Sequence, residues 1–166
     1  MSPNPTELPL RPEGFQRVSD TLQRLGHGQV PLWLEVAART SQEAADALGV
    51  ALGQIAKSVV FRRKADDQAV LVIASGDRRV DESLLAAIVG PVGRADAAFV
   101  KARTGFAIGG VSPVGLLDAP TLLLDRDLQR FGEIWAAAGH PNGVFRLTPD
   151  DLQRLTGAPW ADVVSA

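Results

Sequence analysis

The chain has 166 residues, of which 46% are hydrophobic and 22% are charged, and it contains no cysteine. This length and composition are typical of one folded domain with a single core, and they differ from those of disordered chains. The lack of cysteine excludes disulfides, thiolate zinc sites and a cysteine nucleophile. No apolar run of membrane-spanning or signal-peptide length occurs, so we expect a soluble, cytoplasmic protein with no membrane partner.

The formal net charge is −2, but charge is unevenly distributed along the chain. Residues 51–105 carry nine basic and six acidic side chains, whereas the chain from Asp118 onwards carries four basic and seven acidic ones. Phosphate contacts need clustered cations, so the basic segment, with Arg62, Arg63 and Lys64, permits a local RNA contact. Ordinary solvated surface explains the same distribution about as well.

The spacing of apolar residues, together with capping and turn residues, predicts the elements of the first half of the chain. Residues 1–12 hold four prolines and predict a flexible N-terminus, followed by one domain over residues 13–166. Within it we predict, in chain order, a helix over residues 11–26, a strand over 30–36, a short helix that Thr40 or Ser41 caps and Gly49 or Gly53 ends, and a hairpin of strands over 55–62 and 69–74.

The second half continues the alternation of helices and strands. We predict helices over residues 81–89, 96–103 and 127–138, strands over 120–125 and 144–147, and a last helix with Thr148 as cap and Pro149 in its first turn. The hairpin argues against a purely parallel sheet. The predicted fold class is therefore α/β, a single domain with a mixed, partly antiparallel and curled β-sheet surrounded by short helices.

Three features could carry chemistry. Lys57 interrupts an apolar strand, and it either reaches solvent from the wet face of a sheet or is held near an anion in a pocket. A loop over residues 106–115 holds three glycines and a proline, and it is either a plain turn or a surface that presents N–H groups to an oxyanion or phosphate. His140 lies between Gly139 and Pro141, where an exposed turn explains it and no second histidine stands at metal-ligand spacing.

Several segments, in order along the chain, resemble the YbaK/EbsC family of aminoacyl-tRNA deacylases, to which the prolyl-tRNA synthetase-associated domain belongs. The resemblance covers about residues 30–157, and several spaced motifs in the right order are far more specific than any one of them. The segments are residues 40–50, 54–61, 75–81, 105–113 and 145–152.

The resemblance implies a YbaK-like fold and a trans-editing hydrolase that deacylates mischarged aminoacyl-tRNA, chiefly tRNA-Pro carrying Cys or Ala. Such an ester is already activated, so hydrolysis needs a positioned water and a stabilised oxyanion more than a protein nucleophile. We expect no cofactor and no metal. The family's lysine matches Lys57, the catalytic candidate, and its G-x-x-P loop matches Gly110–Pro113. The substrate-binding candidates are Thr40, Ser58, Gly109, Gly110, Val111, Ser112, Pro113 and His140.

Two alternatives stay open beside the hydrolase. The chain could be a non-catalytic module that binds aminoacyl-tRNA or an adenylate-like ligand, or it could act chiefly as a partner of prolyl-tRNA synthetase. Retention of both Lys57 and the glycine loop favours catalysis, because a pure binding scaffold need not keep both. On the catalytic interpretation, Lys57, Gly109, Gly110 and Pro113 must converge on one cavity.

Overall fold

A computed structural model describes residues 11–166, so the greater part of the predicted N-terminal lead lies outside the described residues. Within this range no helix is both long enough and apolar enough to cross a bilayer. The helices are α1 (Glu13–Arg24), α2 (Ser41–Leu48), α3 (Glu82–Val89), α4 (Ala97–Thr104) and α5 (Pro149–Thr156). The strands are β1 (Leu32–Trp33), β2 (Ile55–Arg63), β3 (Ala69–Ser75), β4 (Arg79–Val80), β5 (Val92–Arg94), β6 (Thr121–Asp125), β7 (Ile134–Ala137), β8 (Gly143–Leu147), β9 (Trp160–Ala161) and β10 (Val164–Ser165).

The main sheet is mixed, as the sequence predicts. Its strand order is β1-β8-β7-β2-β3-β6-β9, with β5 paired to β2, and β4 pairs with β10 in a separate small sheet. The β2–β7, β3–β6 and β6–β9 pairs are parallel, and the others are antiparallel. The predicted fold class, a single α/β domain with a mixed sheet and short helices, is confirmed.

The centre of the sheet is the predicted hairpin of β2 and β3. Its antiparallel register runs from Ala56 opposite Ser75 to Arg62 opposite Ala69. All of β3 is buried, because one of its faces packs into the larger core under α1 and α5 and the other into a smaller core under α3. A strand apolar on both faces is typical of a central position in a covered sheet.

Helix caps follow the sequence closely. The Thr40 hydroxyl accepts a hydrogen bond from the Glu43 N–H, and Gly49 ends α2 in the left-handed conformation (φ 69°). Thr148 and Asp151 form a reciprocal capping box at the start of α5, with Pro149 in its first turn. These bonds satisfy N–H groups that a helix leaves unpaired at its start.

The predicted helix over residues 127–138 is wrong. A short 3₁₀ helix (Arg126–Arg130) and strand β7 (Ile134–Ala137) occupy this segment, with Gly132 between them. In β7, Ile134 and Ala136 are buried beneath the sheet while the intervening Trp135 faces α2. Apolar alanine-rich sequence suits a helix by propensity, but pairing between β2 and β8 fixes it as a strand.

The predicted strand over residues 30–36 is much shorter in the structure. Only Leu32 and Trp33 pair, with Val144 and Gly143 at the edge of the sheet. Pro31 has no N–H to donate at this edge. Beyond the strand, the Leu34 N–H donates to the Asn142 carbonyl oxygen (2.6 Å) and the Ala38 N–H to that of Pro141 (2.9 Å), so the segment follows the 140–143 turn.

Two glycines let α1 contact this turn backbone to backbone. A Cβ atom at Gly14 would clash with the Gly139 carbonyl oxygen, and a Cβ at Gly139 would clash with that of Gly14. Gly139 also has a positive φ (83°), which side chains of L-residues rarely adopt. The first helix therefore fixes the position of the turn that contains His140.

Because of this contact, we predict that Gly14→Ala changes the free energy of unfolding in the direction opposite to the one expected from helix propensity. Gly14→Ala adds a good helix former, which alone favours folding by up to about 1 kcal/mol. We expect the clash with Gly139 to outweigh this gain and to lower the free energy of unfolding by roughly 1–3 kcal/mol, the usual cost of overpacking. Urea denaturation measures the change.

Gly132→Ala is the matched control, because its added Cβ would meet nothing within 4 Å. We expect this variant to unfold at the wild-type urea concentration or slightly above it. A Gly14→Ala protein as stable as Gly132→Ala would show that α1 can move away from the turn without loss.

Candidate active site

The candidate site lies where β2 changes partners. On one side β2 pairs with β7 only through Ile55 and Ala56, and it pairs with β5 from Phe61 onwards. Among the described residues, 57–60 therefore have no ladder partner on that side. A cavity of about 150 Å³ opens here, and its walls come from residues 38–41, 55–58 and 135–137 and from the loops that contain Gly109 and His140.

Lys57 lies in the cavity wall, and its ammonium is fixed by a backbone carbonyl. Its Nζ donates to the carbonyl oxygen of Arg78 at 2.6 Å. Burial lowers the pKa of Lys57 below its usual value, and the carboxylates of Asp77 and Asp125 oppose that shift. One bond uses one of the three N–H donors of an ammonium. Two donors therefore remain for a ligand.

The Arg78 carbonyl is held by a network of charges behind the cavity. The Arg78 guanidinium donates to Asp127 Oδ2 (2.8 Å), and Arg130 donates to Asp77 Oδ1 (2.9 Å). Burial alone would raise the pKa of Asp77, but hydrogen bonds from Arg130 and Ser75 outweigh that effect and hold the pKa below its usual range. These ion pairs are partly shielded from solvent, so they restrain the 75–79 turn more than exposed pairs would.

Asp125 is the most buried charge of this network, with 1% of its surface exposed. Its carboxylate accepts the backbone N–H groups of Ser75 and Asp127, each at 2.9 Å. Burial raises the pKa of Asp125, and the bond from Ser75 opposes the rise. The carboxylate thus joins the end of β3 to the start of the 3₁₀ helix while adding negative charge near Lys57.

The glycine loop reaches the cavity through part of its length. Gly109 and Val111 lie in the wall, and Gly109 has a positive φ (89°). Gly110 packs against the His140 backbone, where an added Cβ would come within 2.8 Å of the His140 N atom. The Gly110 N–H already donates to the Ala107 carbonyl oxygen (3.0 Å), so it is not free for an oxyanion.

The end of the loop turns away from the cavity. Ser112 is fully buried, and its hydroxyl accepts the Val114 N–H at 3.1 Å. Pro113 lines a different, open cavity beside Thr21 and Leu25 of the first helical segment. The predicted convergence on one cavity therefore holds for Lys57 and Gly109 but is wrong for Gly110 and Pro113, which lie outside its wall.

His140 lies in the cavity wall as a neutral ring. Its Nδ1 accepts the Asn142 N–H at 3.0 Å, which places the ring proton on Nε2. Burial, and then the charge of Arg39, lower the pKa of His140. The ring stacks on Trp33 with centroids 4.8 Å apart and planes at 29°.

Two polar atoms of cavity residues have no hydrogen-bond partner in the part of the chain that the structure describes. They are Ser58 Oγ and Trp135 Nε1, and both are buried. Such groups usually find partners in folded proteins, so unpaired ones point to a functional surface. Thr40, another candidate, lies in the wall with its hydroxyl bonded to Glu43 as a helix cap.

Sequence reasoning missed the three cavity-side residues Arg39, Trp33 and Trp135. Arg39 stands just before a predicted helix cap, which gave it no distinct signal. Trp33 lies in a predicted strand and Trp135 in the segment predicted to be a helix, and both resemble ordinary core residues there. Among residues 11–166, no three His, Cys, Asp or Glu side chains are grouped so that they could hold a metal ion.

Comparison with known proteins identifies the family. Residues 35–155 match the model of the aminoacyl-tRNA editing domain. The chain is 37% identical over 131 residues to the uncharacterised protein YwhH of Bacillus subtilis strain 168, covering 78% of this chain and 83% of that one. It is 27% identical over 128 residues to EbsC of Enterococcus faecalis strain V583, described as a candidate Cys-tRNA(Pro)/Cys-tRNA(Cys) deacylase, covering 76% and 77%.

A solved structure agrees with these relatives. It is the crystal structure of a candidate trans-editing enzyme for prolyl tRNA synthetase, with a TM-score of 0.87 and 40% identity. The match covers 95% of this chain and 100% of that one. The chain belongs to the aminoacyl-tRNA editing domain family, and the resemblance to YbaK/EbsC proteins is confirmed.

The charges around Lys57 predict how its pKa responds to substitution. Asp77→Asn keeps the side-chain shape but removes the carboxylate that most raises the pKa of Lys57. We expect the pKa of Lys57 to fall further below its usual value, because less negative charge then stabilises the ammonium. A titration of the Lys57 ¹³Cε chemical shift by NMR measures this.

Asp66→Asn serves as the comparison, because Asp66 lies in the β2–β3 turn, at the other end of the hairpin, paired with Arg63 (2.8 Å). We expect this variant to leave the pKa of Lys57 unchanged. If Asp77→Asn left the pKa of Lys57 unchanged or raised it, the carboxylate network would not control the charge of the site.

Proposed function

We propose that this protein is an aminoacyl-tRNA deacylase that acts in trans on mischarged tRNA, namely tRNA-Pro carrying a small wrong amino acid such as Cys or Ala. The single observation that carries the proposal is the Lys57 ammonium, half-buried in a small cavity and bonded to a carbonyl rather than a carboxylate. The EbsC relative and the trans-editing structure support the choice of substrate.

The size of the cavity fits one aminoacyl group. A volume of about 150 Å³ corresponds to roughly five water molecules, well below the 300–1,000 Å³ of ordinary ligand pockets. The amino acid and the ester would therefore lie inside, and the nucleotide would remain outside. A small side chain fits such a site, and a bulky one does not.

The proposed reaction is hydrolysis by a positioned water. The water oxygen attacks the ester carbonyl carbon, the bond from this carbon to the ribose oxygen breaks, and a proton from the water passes to the ribose oxygen. The products are a free amino acid and a tRNA with a free 3′-terminal hydroxyl. Lys57 stabilises the developing oxyanion or holds the adjoining phosphate. The neutral His140, with its proton on Nε2, can add a further donor at the cavity wall.

A panel of mischarged tRNA species tests the function. Purified protein is incubated with Cys-, Ala- and Ser-tRNA-Pro and with correctly charged Pro-tRNA-Pro, and the fraction still acylated is followed with time. Faster loss of at least one wrong amino acid than in buffer supports the deacylase. Tight binding with no hydrolysis of any species would instead make the chain a binding module.

Replacing Lys57 tests its role within this function. We expect Lys57→Ala to lower deacylation by about a hundredfold or more, because it removes a charge that stabilises the transition state in a sheltered site. Folding should survive, since alanine removes a costly ammonium from the sheet. Single-turnover kinetics measure the first effect, and circular dichroism melting measures the second.

Lys101→Ala is the matched control. Lys101 also donates to a backbone carbonyl, that of Gly105 at 3.2 Å, but it lies on α4 outside the cavity wall. We expect it to leave deacylation unchanged. A Lys57→Ala protein as active as Lys101→Ala would make Lys57 an ordinary residue at a sheet opening.

Chelation tests the expectation that the reaction needs no metal. The proposed chemistry uses only Lys57, a positioned water and donors of the cavity wall. We expect deacylation to be unchanged after treatment with EDTA and removal of the chelator by dialysis. Loss of activity that zinc restores would overturn this expectation and require an ion in the mechanism.

A further inference from the structure

A stack of three side chains leads outward from the cavity. His140 in the cavity wall stacks on Trp33, and the exposed Arg11 places its guanidinium carbon 4.5 Å from the Trp33 ring centroid. Both His140 and Arg11 therefore lie over the same indole ring. From the cavity wall outward, His140 contacts Trp33 and Trp33 contacts Arg11, and among the described residues Phe15 also meets the indole, edge-on.

The cavity wall that contains His140 also carries positive charge at Arg39. Arg39 is in the cavity wall, close enough to His140 to lower its pKa. Among residues 11–166 no carboxylate lies within salt-bridge distance of Arg39. By contrast, Arg62 and Arg63 of the basic segment are paired with acidic residues of the β2–β3 turn. Lys64 of that segment has no such partner, but of the described cations without one, Arg39 and Lys57 are those that line the cavity.

We propose that Trp33, with Arg11 and Arg39, forms the binding surface for the single-stranded 3′ end of the RNA. A nucleobase stacks on the Trp33 ring in place of Arg11. Arg39, together with the displaced Arg11, pairs with backbone phosphates. This proposal rests on the proposed function for its choice of RNA, and it goes beyond that function by assigning the nucleotide to a site outside the cavity.

The size of the cavity and the planarity of the group that lies over Trp33 both support this surface. At about 150 Å³ the cavity is smaller than ordinary ligand pockets and is filled by the aminoacyl group on the proposed function, which places the terminal nucleoside at its rim. A guanidinium and a nucleobase are both planar groups that bind favourably over an indole, so one can replace the other. Because every base has a flat face, stacking on Trp33 would hold the common CCA end of any tRNA.

The experiment measures binding of a short single-stranded RNA that ends in CCA, with a fluorophore at its 5′ end, by fluorescence anisotropy at several salt concentrations. We expect Trp33→Ala to weaken binding roughly five- to hundredfold, the range for loss of one base–aromatic stack. Trp33→Phe should recover most of the affinity, because it keeps an aromatic face. Arg39→Ala should weaken binding and reduce the salt slope by about 1, as loss of one phosphate contact does.

Arg154→Ala is the matched control, because Arg154 lies on α5, paired with Asp151 at 3.0 Å. We expect it to bind the RNA as the wild type does. Equal binding by Trp33→Ala and wild type would overturn the proposal, as would a Phe variant no better than Ala. Loss of affinity confined to charge reversal at Arg62, Arg63 or Lys64 would place the RNA on the basic segment instead.

Two features keep the result clear. Trp33 also contacts Phe15 edge-on at 5.3 Å, so if Trp33→Ala melts early, Trp33→Phe and Arg39→Ala decide the question. The RNA probe carries no amino acid, so binding is measured without hydrolysis. A wild-type protein that binds the probe through Trp33 but deacylates nothing would support this surface and overturn only the proposed function. A wild-type protein that does not bind the probe would overturn this surface.

Discussion

The ammonium of Lys57 inside an opening of the sheet is the constraint on which the rest of the site depends. A buried cation is costly unless polar groups surround it. Here the requirement is met by the Arg78 carbonyl at 2.6 Å and, further off, by the carboxylates of Asp77 and Asp125. Arg78 and Asp77 come from the turn after β3, which pairs with β2, and Asp125 ends β6, the next strand beyond β3. The strand ends therefore determine both the position and the charge of Lys57.

The opening itself follows from how β2 is paired. A lysine between fully paired neighbours would have to lie on one face of the sheet. After Ala56, β2 parts from β7, and only at Phe61 does it meet β5. The gap exposes one edge of the strand at Lys57 and Ser58, and α2 together with the 109–111 and 139–143 loops covers it. The cavity is thus a direct consequence of how β2 is paired in the sheet.

The sequence predicts the central elements well because their signals are local. The hairpin of β2 and β3 and the caps at Thr40 and Thr148 follow from alternation, turn residues and hydroxyls at helix starts. The segment over residues 127–138 was mispredicted because its alanines favour a helix locally, while pairing with β2 and β8 decides the outcome. Strand pairing over long sequence distances leaves no such local signal.

The same distinction applies to the candidate site. Lys57 and the glycine loop stand out in sequence, the first as a charge in an apolar strand and the second by its composition. Trp33 and Arg39 do not stand out, because their role depends on which turn lies opposite them. Close approach of Gly14 to Gly139 brings His140 to the cavity, and no spacing along the chain reveals that contact.

The hydrogen-bond partner of Lys57 also affects whether the site only binds an ester or hydrolyses it. A carboxylate in direct contact would neutralise the ammonium and leave little electrostatic attraction for a negatively charged ligand group. Among residues 11–166 no carboxylate lies within salt-bridge distance of Lys57, and the carbonyl fixes its position without cancelling its charge. The cavity therefore keeps a preorganised positive charge in a sheltered place. Such a charge stabilises an oxyanion more than a neutral ester, which favours hydrolysis over simple binding.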